Sequence, residues 1–422
     1  MLNEQNLTIS VIGLGYIGLP TASFLASNGF MVYGTDTNKH VVDTINQGKT
    51  HIQEKDLDAL LKSVIDNGQF KASLEIQPAD IYIIAVPTPF DSQLQPDLTY
   101  IEQATLSLAK VISPGSLVIL ESTSPIGTTE KIGEWIYQAR PDLKIDGYAK
   151  ASDSEVICIA HCPERVLPGR ILIELRKNNR IIGGITSRSA RIAEKFYAQF
   201  VEGRIITTDG KTAELTKLVE NAFRDVNIAF ANELSIICDE LDVNVWELIN
   251  LANLHPRVDI LAPGPGVGGH CIAVDPWFIV ASSPHNARLI QLARQINDNK
   301  KGYVVKKVLE QAEQLTKPRI AILGLTYKAD IDDLRESPAL DIAHQLITQT
   351  NFEYLVVEPN INVLPELLHS SNCQHYEFNE AIELADIIVL LVDHKEFATI
   401  HGSCLRGKAV IDTKGVWEGL WF

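Results

Sequence analysis

One cysteine stands at the end of a glycine-rich segment, GPGVGGHCIAVDPW, at residues 264–277. Four glycines precede Cys271, and Asp275 follows it by four positions, which is one turn if the chain is helical there. Glycines at this density let a backbone turn sharply or approach a ligand closely. A thiol held in such a segment is a candidate nucleophile. The alternative is a small buried side chain beside an ordinary loop.

A second group of polar residues follows helical spacing. Lys217, Asn221 and Arg224 lie at i, i+4 and i+7 in KLVENAFRDVNIAFANE, which puts them on one face of a helix. The apolar residues around them would pack on its other faces: Leu215, Leu218, Val219, Ala222 and Phe223. By pattern alone, a solvated polar stripe is the favoured interpretation.

The segment GLGYIG at residues 13–18 has the spacing of a dinucleotide-binding turn. It lies between a predicted strand and a predicted helix. Gly13 permits the tight turn, Gly15 lets a pyrophosphate approach the backbone, and Gly18 lets the helix pack on the strand. Asp36 ends the next predicted strand, where its carboxylate can bond a ribose 2′-hydroxyl and would repel a 2′-phosphate. The pattern therefore predicts an NAD site.

A degenerate version of this site appears late in the chain. The segment GLTYK begins at Gly324 and retains one glycine where the first site has three, so a second NAD is not expected there. Lys328, Arg335 and Lys414 could instead bind a different phosphate ligand. The alternative is that these residues are ordinary surface cations.

Hydrophobic patterning gives the elements that must position these groups. Strands are predicted within 8–16, 30–36, 79–88 and 116–123, alternating with helices, and again within 319–327, 354–360 and 385–394. The similarity of ADIYIIAV to ADIIVLLV indicates an internal repeat. Between the repeats, residues 211–255 contain neither glycine nor proline, and the first part of this stretch, residues 212–241, has the apolar spacing of one long spine helix.

The predicted fold is α/β, with two Rossmann-like doubly wound parallel-sheet domains joined by a central helical domain. The expected domains are 1–208 for NAD binding, 209–314 for the helical centre and dimer face, and 315–422 for the second nucleotide-binding-type unit.

Composition narrows the classes of partner. The chain has 422 residues and a formal net charge of −16, which argues against nucleic acid or an anionic membrane as the main partner. No apolar run is long enough to span a bilayer, and residues 1–10 lack the pattern of a signal peptide.

The six cysteines form no CxxC pair. Although Cys158, His161 and Cys162 are close in sequence, no second ligand cluster completes a metal site. A cytoplasmic protein with reduced thiols and no metal is expected.

Taken together, the sequence resembles the UDP-sugar 6-dehydrogenase family along nearly the whole chain. The resemblance is carried by GLGYIGLP (13–20), VPTPF (86–90), ESTSPIGTT (121–129), CPERVLPG (162–169), KLVENAFRDVNIAFANE (217–233), GPGVGGHCIAVDPW (264–277) and GLTYKADIDDLRESP (324–338). RDVNIAFANE, LANLHPRVDI and GVGGHCIAVDPWFIV resemble in particular the branch that oxidises UDP-N-acetylmannosamine. Members that use UDP-glucose usually carry FGGSCF and a lysine–aspartate pair around the thiol. They also have a second acid where this chain has Pro168, so no role for that acid carries over.

The resemblance implies a four-electron oxidation of a sugar C6 alcohol to a carboxylate, with NAD as hydride acceptor. A thiolate that attacks the intermediate aldehyde forms a thiohemiacetal, which loses a second hydride to give a thioester. Water then hydrolyses the thioester. On this interpretation the glycine-rich segment serves Cys271 as an exposed nucleophile, approached closely by sugar and nicotinamide.

The resemblance also implies roles for individual residues. Lys217 stabilises the developing alkoxide and acts as a general acid or base, Asn221 helps hold oxyanions, and Arg224 contacts substrate. Either Asp275 or Glu164 activates the hydrolytic water, although Asp275 could instead cap a helix and Glu164 could pair with Arg165 or another cation. The implied cofactor contacts, beyond Gly13, Gly15, Gly18 and Asp36, are Tyr16, Ile17, Thr88, Thr123 and Arg335. The implied substrate contacts are Arg165, Val166, Lys217, Asn221, Arg224, His255, Arg257, Gly268, Tyr327, Lys328 and Lys414.

The resemblance further implies a homodimer formed through the central helices. His255 and Arg257 could then be supplied by a neighbouring subunit, although His255 could also be a plain turn residue before proline. The Thr123 hydroxyl could instead form a hydrogen bond with the backbone at the end of a strand. The product would feed bacterial surface polysaccharide synthesis.

Three other functions compete with this interpretation. UDP-N-acetylglucosamine or UDP-glucose could be the substrate. An NAD-retaining epimerase of the short-chain type would need a Tyr-x-x-x-Lys pair, which the first domain lacks, and would leave Cys271 idle. A non-catalytic nucleotide-binding regulator would leave both Cys271 and the Lys217 face unexplained.

Overall fold

The computed structural model describes residues 7–91, 93–148, 155–167, 169–269 and 271–418, and Pro168 lies outside the described residues. The chain divides into two compact units. Unit 1 takes the residues up to Val219 together with Trp277–Ser282, and unit 2 takes Glu220–Pro276 together with the residues from Ser283 onward. The domain limits expected from sequence stay predictions.

Unit 1 is built on a twisted, mainly parallel sheet. Its strands are β1 (Thr8–Ile12), β2 (Met31–Thr35), β3 (Phe70–Ser73), β4 (Ile81–Ile84), β5 (Leu117–Leu120), β6 (Lys144–Ile145), β7 (Val156–His161), β8 (Arg180–Gly184) and β9 (Ile205–Asp209). They pair in the order β3-β2-β1-β4-β5-β7-β8-β9, with β6 beside β7. Its helices are α1 (Gly18–Ser27), α2 (Lys39–Asn46), α3 (Leu57–Asp66), α4 (Thr99–Ala109), α5 (Thr128–Ala139), α6 (Ile171–Lys177) and α7 (Ser187–Tyr197). The doubly wound order confirms the predicted fold class.

One pair of strands departs from the parallel pattern. β7 and β8 run antiparallel through two residue pairs, Ala160 with Gly184 and His161 with Gly183. Their contact is short, and the alternation of strands and helices in the sequence gives no signal for this reversal.

Strand β4 shows why the predicted strands read as continuous apolar runs. Its residues alternate between two buried clusters, because Ile81 and Ile83 pack in one and Tyr82 and Ile84 pack in the other. Successive side chains of a strand point to opposite faces of the sheet. Both faces of the sheet are therefore covered, as expected where helices flank a parallel sheet on each side.

The predicted spine helix is confirmed, and a second helix follows it after a short break. Helix α8 runs over Gly210–Glu240 and α9 over Val245–Ala252. Between them Asp242 adopts a φ of 53°, and the Asn244 side chain accepts hydrogen bonds from the backbone N–H groups of Trp246 and Glu247. A left-handed residue and an asparagine N-cap thus end one helix and begin the next without glycine or proline. Two further helices follow, α10 (Asp275–Ser282) and α11 (Arg288–Ala312).

Unit 2 contains a second sheet, whose described strands all pair in parallel. They are β10 (Arg319–Leu323), β11 (Glu353–Val357), β12 (Cys373–His375), β13 (Ile387–Leu390) and β14 (Ala409–Asp412), in the order β12-β11-β10-β13-β14. Helices α12 (Pro338–Gln349) and α13 (Phe378–Leu384) accompany them, with short 3₁₀ turns at Glu366–Leu368, Phe397–Thr399 and Gly402–Leu405. This order repeats the β3-β2-β1-β4-β5 part of the first sheet, so the predicted internal repeat is confirmed. None of the helices in the described residues is long and apolar enough to cross a membrane.

Candidate active site

Predicted cofactor-binding residues of unit 1 and the predicted catalytic residue Glu164 lie along one edge of its sheet. Gly13, Asp36, Thr88, Thr123 and Glu164 each follow the carboxyl end of a strand, namely β1, β2, β4, β5 and β7. These strands are parallel neighbours, so their carboxyl ends lie along the same edge. The strand order reverses between β1 and β4, which is where open α/β sheets bind ligands.

The three glycines of the turn have different surroundings. A Cβ on Gly13 would lie 2.6 Å from the carbonyl oxygen of Ala85, and Gly13 has a φ of +92°. A Cβ on Gly18 would lie only 1.8 Å from the carbonyl oxygen of Gly13. A Cβ on Gly15 would meet nothing within 4 Å. Folding therefore requires glycine at Gly13 and Gly18, whereas the open space over Gly15 suits the close approach of a pyrophosphate.

Asp36 is anchored beside this turn. One carboxylate oxygen accepts a hydrogen bond from the Leu14 N–H at 3.0 Å, and the other accepts one from the Asn38 N–H at 2.8 Å. Each oxygen keeps a lone pair for a ribose hydroxyl. The buried hydroxyl of Thr88 has no hydrogen-bond partner among the described residues. The residues present fit an NAD molecule.

Unit 2 repeats this arrangement in a closed form. Glu358, at the end of β11, accepts hydrogen bonds from the Leu325 N–H at 2.7 Å and the Thr326 N–H at 3.2 Å. The same carboxylate lies 3.1 Å from Nε2 of the buried His394. A Cβ on Gly324 would lie 2.4 Å from Cβ of Val392. Gly324 is as crowded as its counterpart Gly13, but Thr326 stands where unit 1 has Gly15, so a threonine side chain replaces the open position there.

The predicted phosphate-binding cations of unit 2 have different environments. Lys328 is exposed, whereas Arg335 bonds the carboxylate of Asp333. Lys414 Nζ lies 3.2 Å from Oδ1 of Asp393 and 3.9 Å from the position of a Cβ on Gly264. Lys414 therefore lies beside the glycine-rich segment.

The glycine-rich segment packs tightly against the chain that follows β10. A Cβ on Gly268 would lie 2.4 Å from the carbonyl oxygen of Glu336, and one on Gly269 would lie 2.9 Å from the ring of Tyr327. Gly266 has a φ of +151°, and a Cβ there would lie 3.0 Å from Pro338. These glycines are therefore needed for close backbone packing, a role that the sequence analysis missed.

Cys271 follows this segment with an exposed side chain. The Asp275 N–H donates to the Cys271 carbonyl oxygen at 2.9 Å, so the two residues are one turn apart as predicted. Asp275 Oδ2 in turn accepts a hydrogen bond of 2.5 Å from Nδ2 of Asn221, and both side chains are buried. Because Cys271 is exposed, the alternative of a buried thiol is excluded. The hydrogen bond between Asn221 and Asp275 fixes an amide and a carboxylate, and Asp275 is four residues from Cys271 in the chain.

The remaining predicted residues are distributed over both units. Lys217 lies half-buried on the part of α8 that belongs to unit 1, and Arg224 lies exposed on the part that belongs to unit 2. His255 and Arg257 are exposed in the turn after α9, where Nδ1 of His255 accepts from the Arg257 N–H at 3.3 Å. The His255 geometry is that of a turn residue.

Glu164 is bound by a cation that the sequence analysis did not single out. Its Oε2 lies 2.6 Å from Nη1 of Arg180, and both side chains are almost fully buried. Its Oε1 accepts from the backbone N–H of Arg165 at 2.6 Å. The neighbouring Val166 is partly buried against the core. The cation pairing considered for Glu164 is thus made by Arg180.

Two further carboxylates hold the segments that carry predicted site residues. Glu214 accepts from the N–H groups of Gly127 and Thr129 at 2.6 and 2.7 Å and from the Thr129 hydroxyl at 2.6 Å, at the start of α5 and just after Thr123. Glu54 accepts from the Gly169 N–H at 2.7 Å and the Ile171 N–H at 3.0 Å, at the start of α6. No short sequence pattern predicts either set of hydrogen bonds.

Comparison with known proteins gives matches along the chain. Models of the UDP-glucose/GDP-mannose dehydrogenase family match residues 7–201 (NAD binding domain), 211–299 (central domain) and 321–419 (UDP binding domain). A protein of Ralstonia nicotianae named NDP-N-acetyl-D-galactosaminuronic acid dehydrogenase is 55% identical over 97% of this chain and 96% of its own. The UDP-N-acetyl-D-mannosamine dehydrogenase of Escherichia coli K12 is 51% identical over 97% and 99%. The solved structure of UDP-D-ManNAc dehydrogenase from Pyrococcus horikoshii is 40% identical and superposes with a TM-score of 0.85 over 98% and 96%.

The family models cover the turn with Gly15 and Asp36, the helix with Lys217, and the closed second Rossmann unit. The matching relatives extend over almost the full length of both chains. The chain therefore belongs to the UDP-glucose/GDP-mannose dehydrogenase family and is an NAD-dependent sugar-nucleotide dehydrogenase.

Proposed function

We propose that this enzyme oxidises UDP-N-acetylmannosamine at C6 to the uronate, through a thioester on Cys271. The observation that carries the proposal is the exposed Cys271 thiol, one helical turn before the buried Asn221–Asp275 pair. The full reaction consumes the alcohol, two NAD⁺ and one water, and yields the carboxylate, two NADH and three protons.

The first oxidation converts the C6 alcohol to an aldehyde. NAD supplies the hydride acceptor in this step and again in the second oxidation. Lys217 receives the hydroxyl proton, directly or through a water, and stabilises the oxygen as negative charge develops on it. Thr123 and Thr88 lie at the strand ends beside the cofactor turn and position the reacting groups there.

The second oxidation takes place on the thiol. The Cys271 thiolate adds to the aldehyde carbon, forming a C–S bond and an oxyanion, and the resulting thiohemiacetal loses a hydride to become a thioester. Asp275 accepts one hydrogen bond from the Asn221 amide, which orients the second N–H of that amide toward the oxyanion.

Hydrolysis ends the reaction. Glu164 takes a proton from water, the water oxygen adds to the thioester carbon, and the C–S bond breaks with Cys271 leaving as a thiolate. We assign the base role to Glu164, which Arg180 and the Arg165 N–H hold at the strand edge of the cofactor site, and an orienting role to Asp275, which accepts from Asn221.

A homodimer is the assembly proposed for this activity. Phe223, Phe230, Ile237 and Leu241 are all exposed on or just after α8, at intervals of seven, seven and four residues. Leu254, after α9, is 79% exposed. A contiguous apolar stripe of this kind is typical of an interface, and a second copy of the chain supplies a matching one. His255 and Arg257, which follow Leu254, would then reach the partner's substrate.

The identity of the sugar is the finer part of the proposal. The 55% identity to a relative named for N-acetylgalactosaminuronic acid favours a second candidate, the galacto sugar. The uridine and diphosphate contacts are common to all UDP-sugars, so discrimination must come from residues near the sugar. The candidates are Arg165, Val166, Arg224, His255 and Arg257.

The test is kcat/KM for UDP-N-acetylmannosamine, its galacto and gluco epimers, and UDP-glucose, with NAD at fixed pH and salt. A misplaced acetamide leaves a buried polar group unpaired, which costs about 1–3 kcal/mol, or roughly 5- to 150-fold in kcat/KM. The manno sugar is expected to be best and UDP-glucose poorest. A preference for the galacto epimer would replace the manno assignment with the second candidate, and a preference for UDP-glucose would overturn the N-acetyl branch altogether.

A further inference from the structure

Helix α8 binds both ends of the segment that carries the nucleophile, through two asparagine side chains. Asn221 donates to Oδ2 of Asp275 at 2.5 Å, and Oδ1 of Asn232 accepts from the N–H of Gly264 at 2.8 Å. The two asparagines are eleven residues apart, which is about three helical turns, so they lie on the same face of α8. We call residues 264–275 the tethered segment, because one asparagine binds each of its ends.

The two tethers keep this segment compact. Positions eleven residues apart on a helix are about 16 Å apart along its axis, whereas an extended chain of eleven residues reaches about 36 Å. The chain between Gly264 and Asp275 must therefore fold back on itself, and Cys271 lies within this stretch. Helix α11 supports it as well, since a Cβ on Gly266 would lie 3.3 Å from the carbonyl oxygen of Asn297. The position of the thiol thus depends on both tethers and on α11.

A buried chain of hydrogen bonds orients the Asn232 tether. Its Nδ2 donates to Oδ1 of Asn297 at 2.8 Å, and Nδ2 of Asn297 donates to Oδ1 of Asp225 at 2.8 Å. The same carboxylate oxygen accepts from Nη1 of Arg294 at 2.7 Å. All four residues are at most 2% exposed, so their polar groups depend on one another for hydrogen bonds.

The order of donors and acceptors in this chain leaves one orientation for each amide. Arg294 only donates and the Asp225 carboxylate only accepts, so Asn297 must turn its NH₂ group toward Asp225. The Asn297 oxygen then accepts from the NH₂ group of Asn232, whose own oxygen is left for the N–H of Gly264. The chain of hydrogen bonds therefore ends in an acceptor placed for one backbone donor of the tethered segment.

We propose that Asn232 and Asn297 are positioning residues for the Cys271 thiol. This proposal rests on the proposed function, in which the thiolate attacks the aldehyde carbon. Attack requires the reacting atoms to be about 3–3.5 Å apart before the bond forms. Asn232 fixes the start of the tethered segment and Asn221 fixes its end, so the sulfur keeps one position. Without the first tether the segment takes more than one arrangement, and the fraction of enzyme that is ready for attack falls.

Amide hydrogen exchange tests the tether without any catalytic step. The Gly264 N–H is expected to exchange slowly in the resting enzyme, because it is buried and bound to a side chain that is itself fixed. Asn232→Ala and Asn297→Ala should each speed this exchange about tenfold. Fast exchange of the Gly264 amide in wild type would overturn the proposal even if neither variant folds.

Single-turnover kinetics test the effect on the thiol. With saturating NAD and sugar nucleotide, the first NADH reports a hydride transfer that does not use the thiol, and mass spectrometry of quenched enzyme reports the thioester on Cys271. Asn232→Ala should slow thioester formation about 5- to 150-fold, while the first NADH forms within about twofold of the wild-type rate. Equal slowing of the two steps, or an unchanged rate of thioester formation, would overturn the positioning role.

A double-mutant cycle tests whether the two asparagines act as one chain. If Asn297 acts by orienting Asn232, combining Asn297→Ala with Asn232→Ala should slow thioester formation no more than the larger single change does. Additive losses would show that Asn297 does not act through Asn232, and would overturn its part of the proposal.

Asn372→Ala is the matched control in the same unit. Nδ2 of Asn372 donates to the carbonyl oxygens of Thr350 and Phe352 at 3.2 and 3.0 Å, outside the tethered segment. This variant should lower Tm and leave the ratio of the thioester rate to the first NADH rate unchanged. A changed ratio would show that lost stability alone alters the thiol step, which overturns the assignment of Asn232. If wild type forms no thioester, the proposed function fails and the positioning role with it, whereas exchange of the Gly264 amide still decides the tether.

Discussion

Replacing Gly15 by alanine should separate cofactor binding from folding. A Cβ at this position meets nothing within 4 Å, and its backbone φ lies outside the left-handed range, so the free energy of unfolding without NAD should change by less than about 0.5 kcal/mol. With NAD bound, the methyl group occupies the space through which the pyrophosphate approaches the backbone. Overpacking of this kind costs about 1–3 kcal/mol, which corresponds to roughly 5- to 150-fold weaker NAD binding.

The matched control is Gly18→Ala in the same turn. Its Cβ would lie 1.8 Å from the carbonyl oxygen of Gly13, well inside the 3.4 Å at which ordinary contact begins. The obstacle is backbone, so the turn itself must move, at a cost at or above about 3 kcal/mol. For a unit of this size, that cost lowers Tm by about 6–12 °C.

Both variants can be compared by thermal unfolding without ligand and by titration calorimetry with NAD. Gly15→Ala should keep the wild-type Tm and lose NAD affinity, and Gly18→Ala should lose Tm. If Gly15→Ala unfolded as early as Gly18→Ala, or bound NAD with wild-type affinity, the division of roles among the three glycines would be wrong.

Three other changes have defined outcomes. Glu214→Gln removes the charge from a side chain that accepts three hydrogen bonds, so it should lower the free energy of unfolding by about 2–4 kcal/mol in chemical denaturation. An unchanged denaturation midpoint would show that these hydrogen bonds do not stabilise the start of α5. Phe230→Glu places a charge in the exposed apolar stripe of α8 and should yield monomers in sedimentation experiments. A variant that stays dimeric would show that this stripe is not the interface. Lys328→Ala should weaken UDP-sugar binding much more than NAD binding in calorimetry, and equal weakening would show that the second Rossmann unit does not hold the sugar nucleotide.

Local patterns in the sequence were sufficient to predict most of the fold. Buried parallel strands read as apolar runs, and the turn at Gly13–Gly18 has fixed glycine spacing, so both were found without tertiary information. The repeat was detected because its strands share a pattern, and the two sheets confirm it. The spine helix was found from its apolar spacing, whereas the start of α9 gave no signal, because Asp242 and Asn244 end and begin helices without glycine or proline.

The supporting residues of the site could not be predicted in the same way. Glu54 contacts Gly169 across 115 positions, and Glu214 contacts Gly127 across 87, so no short motif contains both partners. Arg180 lies closer to Glu164 in sequence, but the sequence does not reveal that both are buried. The residue types at the site were therefore easier to predict than the groups that hold them in place.

The amount of NADH formed per sugar tests the central claim most directly. Cys271 is needed as a nucleophile only if the aldehyde is oxidised further, and the second oxidation releases a second hydride from the same carbon. With limiting UDP-N-acetylmannosamine and excess NAD, absorbance at completion should give two NADH for each uronate formed. A ratio of one NADH per sugar consumed would contradict the thioester mechanism.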